Sequence, residues 1–81
     1  MSSKLLFGFH AVGVRLKTAP ASVNEVHVDV ARRDQRMRQL VERAQAAHVR
    51  VVDSDDARLT QLAGTPRHQG VVARVTPLWA R

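Results

Sequence analysis

From Val23 to Val30 the chain alternates, with Val26, Val28 and Val30 on one side and Glu25, His27 and Asp29 on the other. A period of two is that of a β-strand with one face turned to a core. The period then changes. Met37, Leu40, Val41, Ala44 and Ala47 recur at helical spacing, Arg36, Arg38, Glu42 and Arg43 occupy the other faces, and Asp34 stands just ahead of the run. This predicts an amphipathic helix capped by Asp34. A short apolar run, Val49 to Val52, follows and meets the turn formers Asp53, Ser54, Asp55 and Asp56, which predicts a second strand that stops there.

A shorter helix is expected from about Asp55 to Ala63, with Leu59, Leu62 and Ala63 inward and Gly64 ending it. Gly64-Thr65-Pro66 is a break. Gly70 to Val75 reads as a strand buried on both faces, since only Arg74 among its side chains is polar. Ahead of all these, Phe9, Val12, Val14 and Leu16 belong to a first helix ending near Thr18-Ala19-Pro20, with Gly13 inside it at a cost of about 1 kcal/mol relative to alanine. Strands alternating with helices imply crossover connections, hence an α/β fold: a three-layer α/β/α sandwich around a mostly parallel or mixed sheet. Residues 1–75 form one domain in this reading, and Thr76 to Arg81, with Pro77 near its start, begin a linker.

A chain of 81 residues supports one small core, and 44% hydrophobic with 25% charged residues is the composition of a globular domain rather than a disordered tail. The absence of cysteine removes disulfides, thiolate metal sites and thiol catalysis, and fits a cytoplasmic location. Apolar stretches fall far short of the roughly 20 residues that span a bilayer, and no signal-peptide apolar region opens the sequence, so no membrane role is expected. The four histidines, His10, His27, His48 and His68, lack ligand spacing. Asp53, Asp55 and Asp56 lack the glycine and terminal glutamate of a calcium loop. No nucleophile stands with a base. The expectation is a chain without catalytic residues, cofactor or metal of its own.

Charge adds a direction. Thirteen Lys and Arg against seven Asp and Glu give +6, and all the basic residues except Lys4 and Lys17 are arginine. Arginine suits bidentate contact with phosphate, which points to a polyanion partner, although such charge also serves solubility alone. Arg32, Arg33, Arg36 and Arg38 crowd the start of the long helix, where the helix dipole disfavours cations. Only Phe7, Phe9 and Trp79 are aromatic, too few for a base-stacking sheet. Recognition would then rest on shape, phosphates and a few polar contacts.

Two short motifs flank the predicted architecture: Phe7-Gly8-Phe9-His10-Ala11-Val12 opens the first helix and His68-Gln69-Gly70-Val71-Val72-Ala73 opens the last strand. The pair resembles the substrate-binding domain that precedes the catalytic domain in SpoU-type RNA 2′-O-ribose methyltransferases. The likeness runs from about Leu6 to Val75 and includes the lead-in Ala31-Arg32-Arg33-Asp34, the helix to His48 and the strand from Val49. His48 departs from it, standing where the family often has glycine; the left-handed conformation expected there is tolerated by some polar residues. The resemblance implies a fold similar to kink-turn-binding ribosomal proteins. It also implies large-subunit ribosomal RNA as partner and a separate C-terminal domain that methylates a guanosine ribose. S-adenosylmethionine would be bound by that other domain, and the parent would be a homodimer through it.

The candidate RNA-binding residues are His10, Arg15, Arg32, Arg33, Arg67, His68, Gln69 and Gly70. His68 and Gln69 both donate and accept hydrogen bonds and suit a 2′-hydroxyl, a phosphate or a base edge, or else satisfy buried backbone groups at the strand entrance. Arg67 adds charge beside them, and Gly70 suits close approach of another backbone or a ligand. Gly8 and His10 would bring the helix N-terminus to a phosphate, if that end lies near His68; otherwise they form a local cap with Phe7 and Phe9 in the core. Two rival roles stay open: a docking or dimerisation domain without direct RNA contact, and a free-standing kinked-RNA binder.

Overall fold

Asp34 and Asp55 each accept a backbone N–H three residues on, from Met37 at 2.9 Å and Arg58 at 2.8 Å, and so start two helices. The computed structural model describes residues 4–32 and 34–76. Arg33 and most of the expected linker, residues 77–81, lie outside the described residues. The elements run β1 (Lys4–Phe7), α1 (Phe9–Thr18), a 3₁₀ turn (Pro20–Ser22), β2 (Val23–Asp29), α2 (Gln35–Ala46), β3 (Arg50–Ser54), α3 (Asp56–Ala63) and β4 (Val71–Val75). The sheet is mixed, in the order β1-β4-β2-β3: β2 and β3 are parallel across the α2 crossover, and β4 runs antiparallel to both β1 and β2.

The three layers are present. Val12 and Leu16 of α1 and Met37, Leu40 and Ala44 of α2 share a core with Val26 and Val28 of β2 and with Val71, Ala73 and Val75 of β4. Side chains alternate across a strand, so Val72 and His27 turn to the other face. There α3 buries Leu59 completely, as Val72 is buried, and Arg58, Gln61 and Leu62 lie beside His27. β4 sits between two strands and two helical layers, which accounts for its run of apolar residues broken only by Arg74.

Four details differ from the expectation. β1 was not foreseen, because Lys4–Phe7 is too short to show a period; it exists by pairing with β4, Lys4 opposite Val75 and Phe7 opposite Val72. As the outermost strand it leaves Phe7 40% exposed rather than in the core. β3 runs through Asp53 and Ser54 because they pair with Val28 and Asp29, tertiary pairing overriding turn preference. β2 ends at Asp29, whose carboxylate accepts the Ala31 N–H and turns the chain, so Val30 is exposed. Phe9, Val12, Val14 and Leu16 all fall in α1 as expected; Val14 lies two residues from the buried Val12, on the opposite side of the helix, and faces out.

Candidate nucleic-acid interface

One end of the sheet collects the start of α1, the turn after β2, the end of β3 and the entrance to β4. Hydrogen bonds tie these segments in sequence: Gly8 N–H to the Val71 carbonyl (3.2 Å), Asp29 N–H to Gly70 (2.9 Å), and Val30 N–H to Ser54 (3.2 Å). The N-terminal ends of α1, α2 and α3 are at this rim. Its centre is Gln69. The side-chain carbonyl of Gln69 accepts the Phe9 N–H at 2.9 Å, capping a helix whose own cap residue, Gly8, has no side chain to do so. The backbone carbonyl of Gln69 accepts from Arg32 at 2.8 Å. The two sequence motifs and the basic lead-in to α2 therefore meet in a few ångströms.

Arg32 is held from four directions. Besides Gln69, its guanidinium donates to Asp34 (3.1 Å), lies 5.4 Å from the centre of the Phe9 ring, and its stem runs over Gly70. A Cβ at Gly70 would stand 2.5 Å from Arg32 Cδ, and the φ of +86° there is itself unfavourable for other residues. Asp34 has its carboxyl held below the ordinary range, chiefly by the Met37 N–H and further by Arg32 and Arg36. The result is a guanidinium fixed in place at the molecular surface, 42% exposed.

The other candidates divide. His10 is exposed on the first turn of α1, and Arg67 is exposed with its N–H bonded to Thr65 at 3.3 Å. His68 is only 2% exposed: Nδ1 accepts the Gly70 N–H (2.9 Å), so the ring proton sits on Nε2, facing Thr60 Oγ1 (3.0 Å) and Asp56 Oδ1 (3.3 Å). It joins α3 to the entrance of β4 and shapes the turn that presents Gln69, whose φ is +58°. Arg15 is not brought to the rim. It lies about 9 Å further along α1, donating to Ser22 Oγ and to the Thr76 carbonyl, both at 2.7 Å, and fastens the opposite end.

Not foreseen from the sequence, a groove of about 470 Å³ lies between α1 and α2. It begins at the rim with Phe9, His10 and Gln69 and continues past Lys17, Arg36 and Arg43. A signal was there: Arg36 and Arg43 are seven residues apart, two turns of one helix face. This groove does not suit S-adenosylmethionine, because three lining cations oppose a positively charged sulfonium and no carboxylate lines it. Among the described residues no three of His, Cys, Asp and Glu gather to hold a metal ion, and no helix is long and apolar enough to cross a membrane.

Comparison with known proteins gives a match over residues 5–79 to the family described as RNA 2'-O ribose methyltransferase substrate binding. A 23S rRNA (guanosine-2'-O-)-methyltransferase, RlmB, of Burkholderia sp is 55% identical over 73 residues, covering 90% of this chain and 30% of that protein. Proteins of the same name from Ralstonia nicotianae and Nitrosomonas europaea are 49% and 43% identical over 76 residues, each covering 94% of this chain and 30% and 29% of their own lengths. The chain thus spans under a third of the curated relatives it matches.

Proposed function

Because this chain belongs to the RNA 2'-O ribose methyltransferase substrate-binding family, we propose that it recognises large-subunit ribosomal RNA at the rim and presents it to a catalytic domain elsewhere in the protein. The reaction would be transfer of a methyl group from S-adenosylmethionine to a guanosine 2′-oxygen, as the names of the relatives suggest. The donor would belong with the other domain; the groove described above, with three lining cations and no carboxylate, does not suit it. In this reading residues 1–75 are the RNA-binding unit, residues from Thr76 begin the connection, and the parent works in the cytoplasm as a homodimer through its catalytic domains.

The observation that carries the reading is the convergence at Gln69 of both motifs and a fixed guanidinium. Arg32, with Arg33 beside it in sequence, His10 and Arg67 supply charge and hydrogen bonds to the RNA, Arg32 and Arg67 to phosphates in particular. Gln69 keeps its side-chain amide nitrogen for the RNA while its oxygen caps α1. His68 and Gly70 act as positioning residues, and Arg15 holds the far end of the helix.

The test is fluorescence anisotropy of a large-subunit rRNA hairpin and a scrambled hairpin of equal length across a salt series, with wild type and Arg67→Ala. Preference for the rRNA hairpin is expected. Arg67→Ala should weaken binding to both and lower the log–log salt slope by roughly 0.7 to 0.9, the amount for one phosphate contact. Equal weak binding to both hairpins, lost near physiological salt, would mean that the charge is incidental and this reading is wrong.

A further inference from the structure

The α1–α2 groove is chemically unlike the rim, although Phe9, His10 and Gln69 belong to both. Its apolar lining residues are Phe9, Val14 and Leu40; Leu40 is buried, Phe9 is half-buried and Val14 is 46% exposed. Its banks carry Lys17 on α1 and Arg36 and Arg43 on α2, with no carboxylate among the lining residues. The two arginines stand about 10 Å apart along the helix, so the positive charge follows the groove instead of marking one spot. Gly13 forms part of the wall. A Cβ there would meet nothing within 4 Å, so packing does not demand glycine; its effect is to leave the groove open.

We propose that this groove binds an unpaired stretch of RNA continuing from the folded RNA seated on the rim, phosphates toward Lys17, Arg36 and Arg43 and bases toward Phe9 and Val14. The inference rests on the rim reading for the direction from which the strand arrives. A paired helix keeps its bases stacked inside and shows phosphates and 2′-hydroxyls outward, so it would leave the exposed Val14 in water. A single strand can turn bases to one side and phosphates to the other, which is the division of polarity the groove offers. The three lining cations without a carboxylate, and the continuity with Phe9 and Gln69, favour a nucleic acid strand over a peptide, which would meet the same cations only if acidic.

The experiment compares a blunt large-subunit rRNA hairpin with the same hairpin carrying an unpaired extension of about six nucleotides, a length within the usual site size of single-strand binders. Wild-type chain should bind the extended RNA about fivefold or more tightly, the low end of what one stacked base contributes. In Lys17→Ala/Arg43→Ala that gain should vanish, the salt slope for the extended RNA falling by roughly 1.4 for two single-strand phosphates while the blunt hairpin binds as before. Gly13→Leu keeps every charge and fills the groove; it too should abolish the gain, with circular dichroism and thermal melting confirming the fold of each variant. No gain from the extension in wild type, an equal loss for both RNAs in the double variant, or an undiminished gain in Gly13→Leu would overturn the proposal. So would an acidic peptide displaced by Gly13→Leu when the extension is not. If the blunt rRNA hairpin shows no preference over a scrambled one, the rim reading fails, and the groove is decided by the unpaired oligonucleotide alone binding wild type but not Gly13→Leu.

Discussion

At Gly70 a missing side chain and a left-handed backbone serve the same purpose, which is to let Arg32 lie flat across the entrance to β4. Gly70→Ala should therefore lower stability by about 2 kcal/mol, combining the left-handed penalty with displacement of Arg32. For a domain of this size that is a fall in melting temperature of roughly 8 to 16 °C. Adding Arg32→Ala should return part of the loss, and a double-mutant cycle by thermal denaturation measures how much; strict additivity would show that the contact is not the cause. The need for close approach at Gly70 was legible from its place between polar residues and an apolar strand. Its partner was not, since nothing local to Gly70 points to Arg32. His48 is the opposite case: its φ of +62° is the left-handed conformation expected where the resembled family often has glycine after the helix. For His68 the donor and acceptor capacity was legible but the burial was not, because α3 supplies Thr60 and Asp56 from across the turn.

Among elements, α2 carries the clearest dependence on pH. Its cap Asp34 has a carboxyl pKa lowered by the Met37 N–H and then by Arg32 and Arg36, so the folded state holds the ionised form more firmly than the unfolded chain does. The stability this gives is complete above the ordinary carboxylate range, near about 4, and is lost as pH falls through the lowered value. Melting temperature followed from neutral pH to strong acid should fall less steeply in Asp34→Asn, because asparagine caps comparably without ionising. An unchanged pH profile would assign the acid sensitivity to other carboxylates. The helices were legible because caps and periodicity are written locally: Asp34 and Asp55 start them and the apolar spacing sustains them. Strand limits were not. β1 has no period of its own, and Asp53 and Ser54 join β3 only because β2 is beside them.

For the molecule as a whole, the sheet order puts β4 and β2 inside and leaves β1 and β3 as edges. Amide hydrogen exchange should be slowest in β4 and β2 and markedly faster in the four-residue β1. Protection of β1 equal to that of β4 would indicate that a second molecule covers this edge. The three-layer architecture could be read from the alternation of strand and helix, and the rim candidates from two motifs; what unites them is the antiparallel return of β4, which brings Gln69 back to the start of α1. No local pattern encodes that return, so the groove behind it was missed as well. The pairing of Lys4 with Val75 has a mechanical consequence. The start of β1 and the end of β4 lie together at the pole away from the rim, so a pull between the start of β1 and the entrance of β4 runs along the strands. Force in that direction loads the hydrogen-bonded rungs of the ladder together, in shear, whereas drawing the two ends apart would peel β1 off one rung at a time.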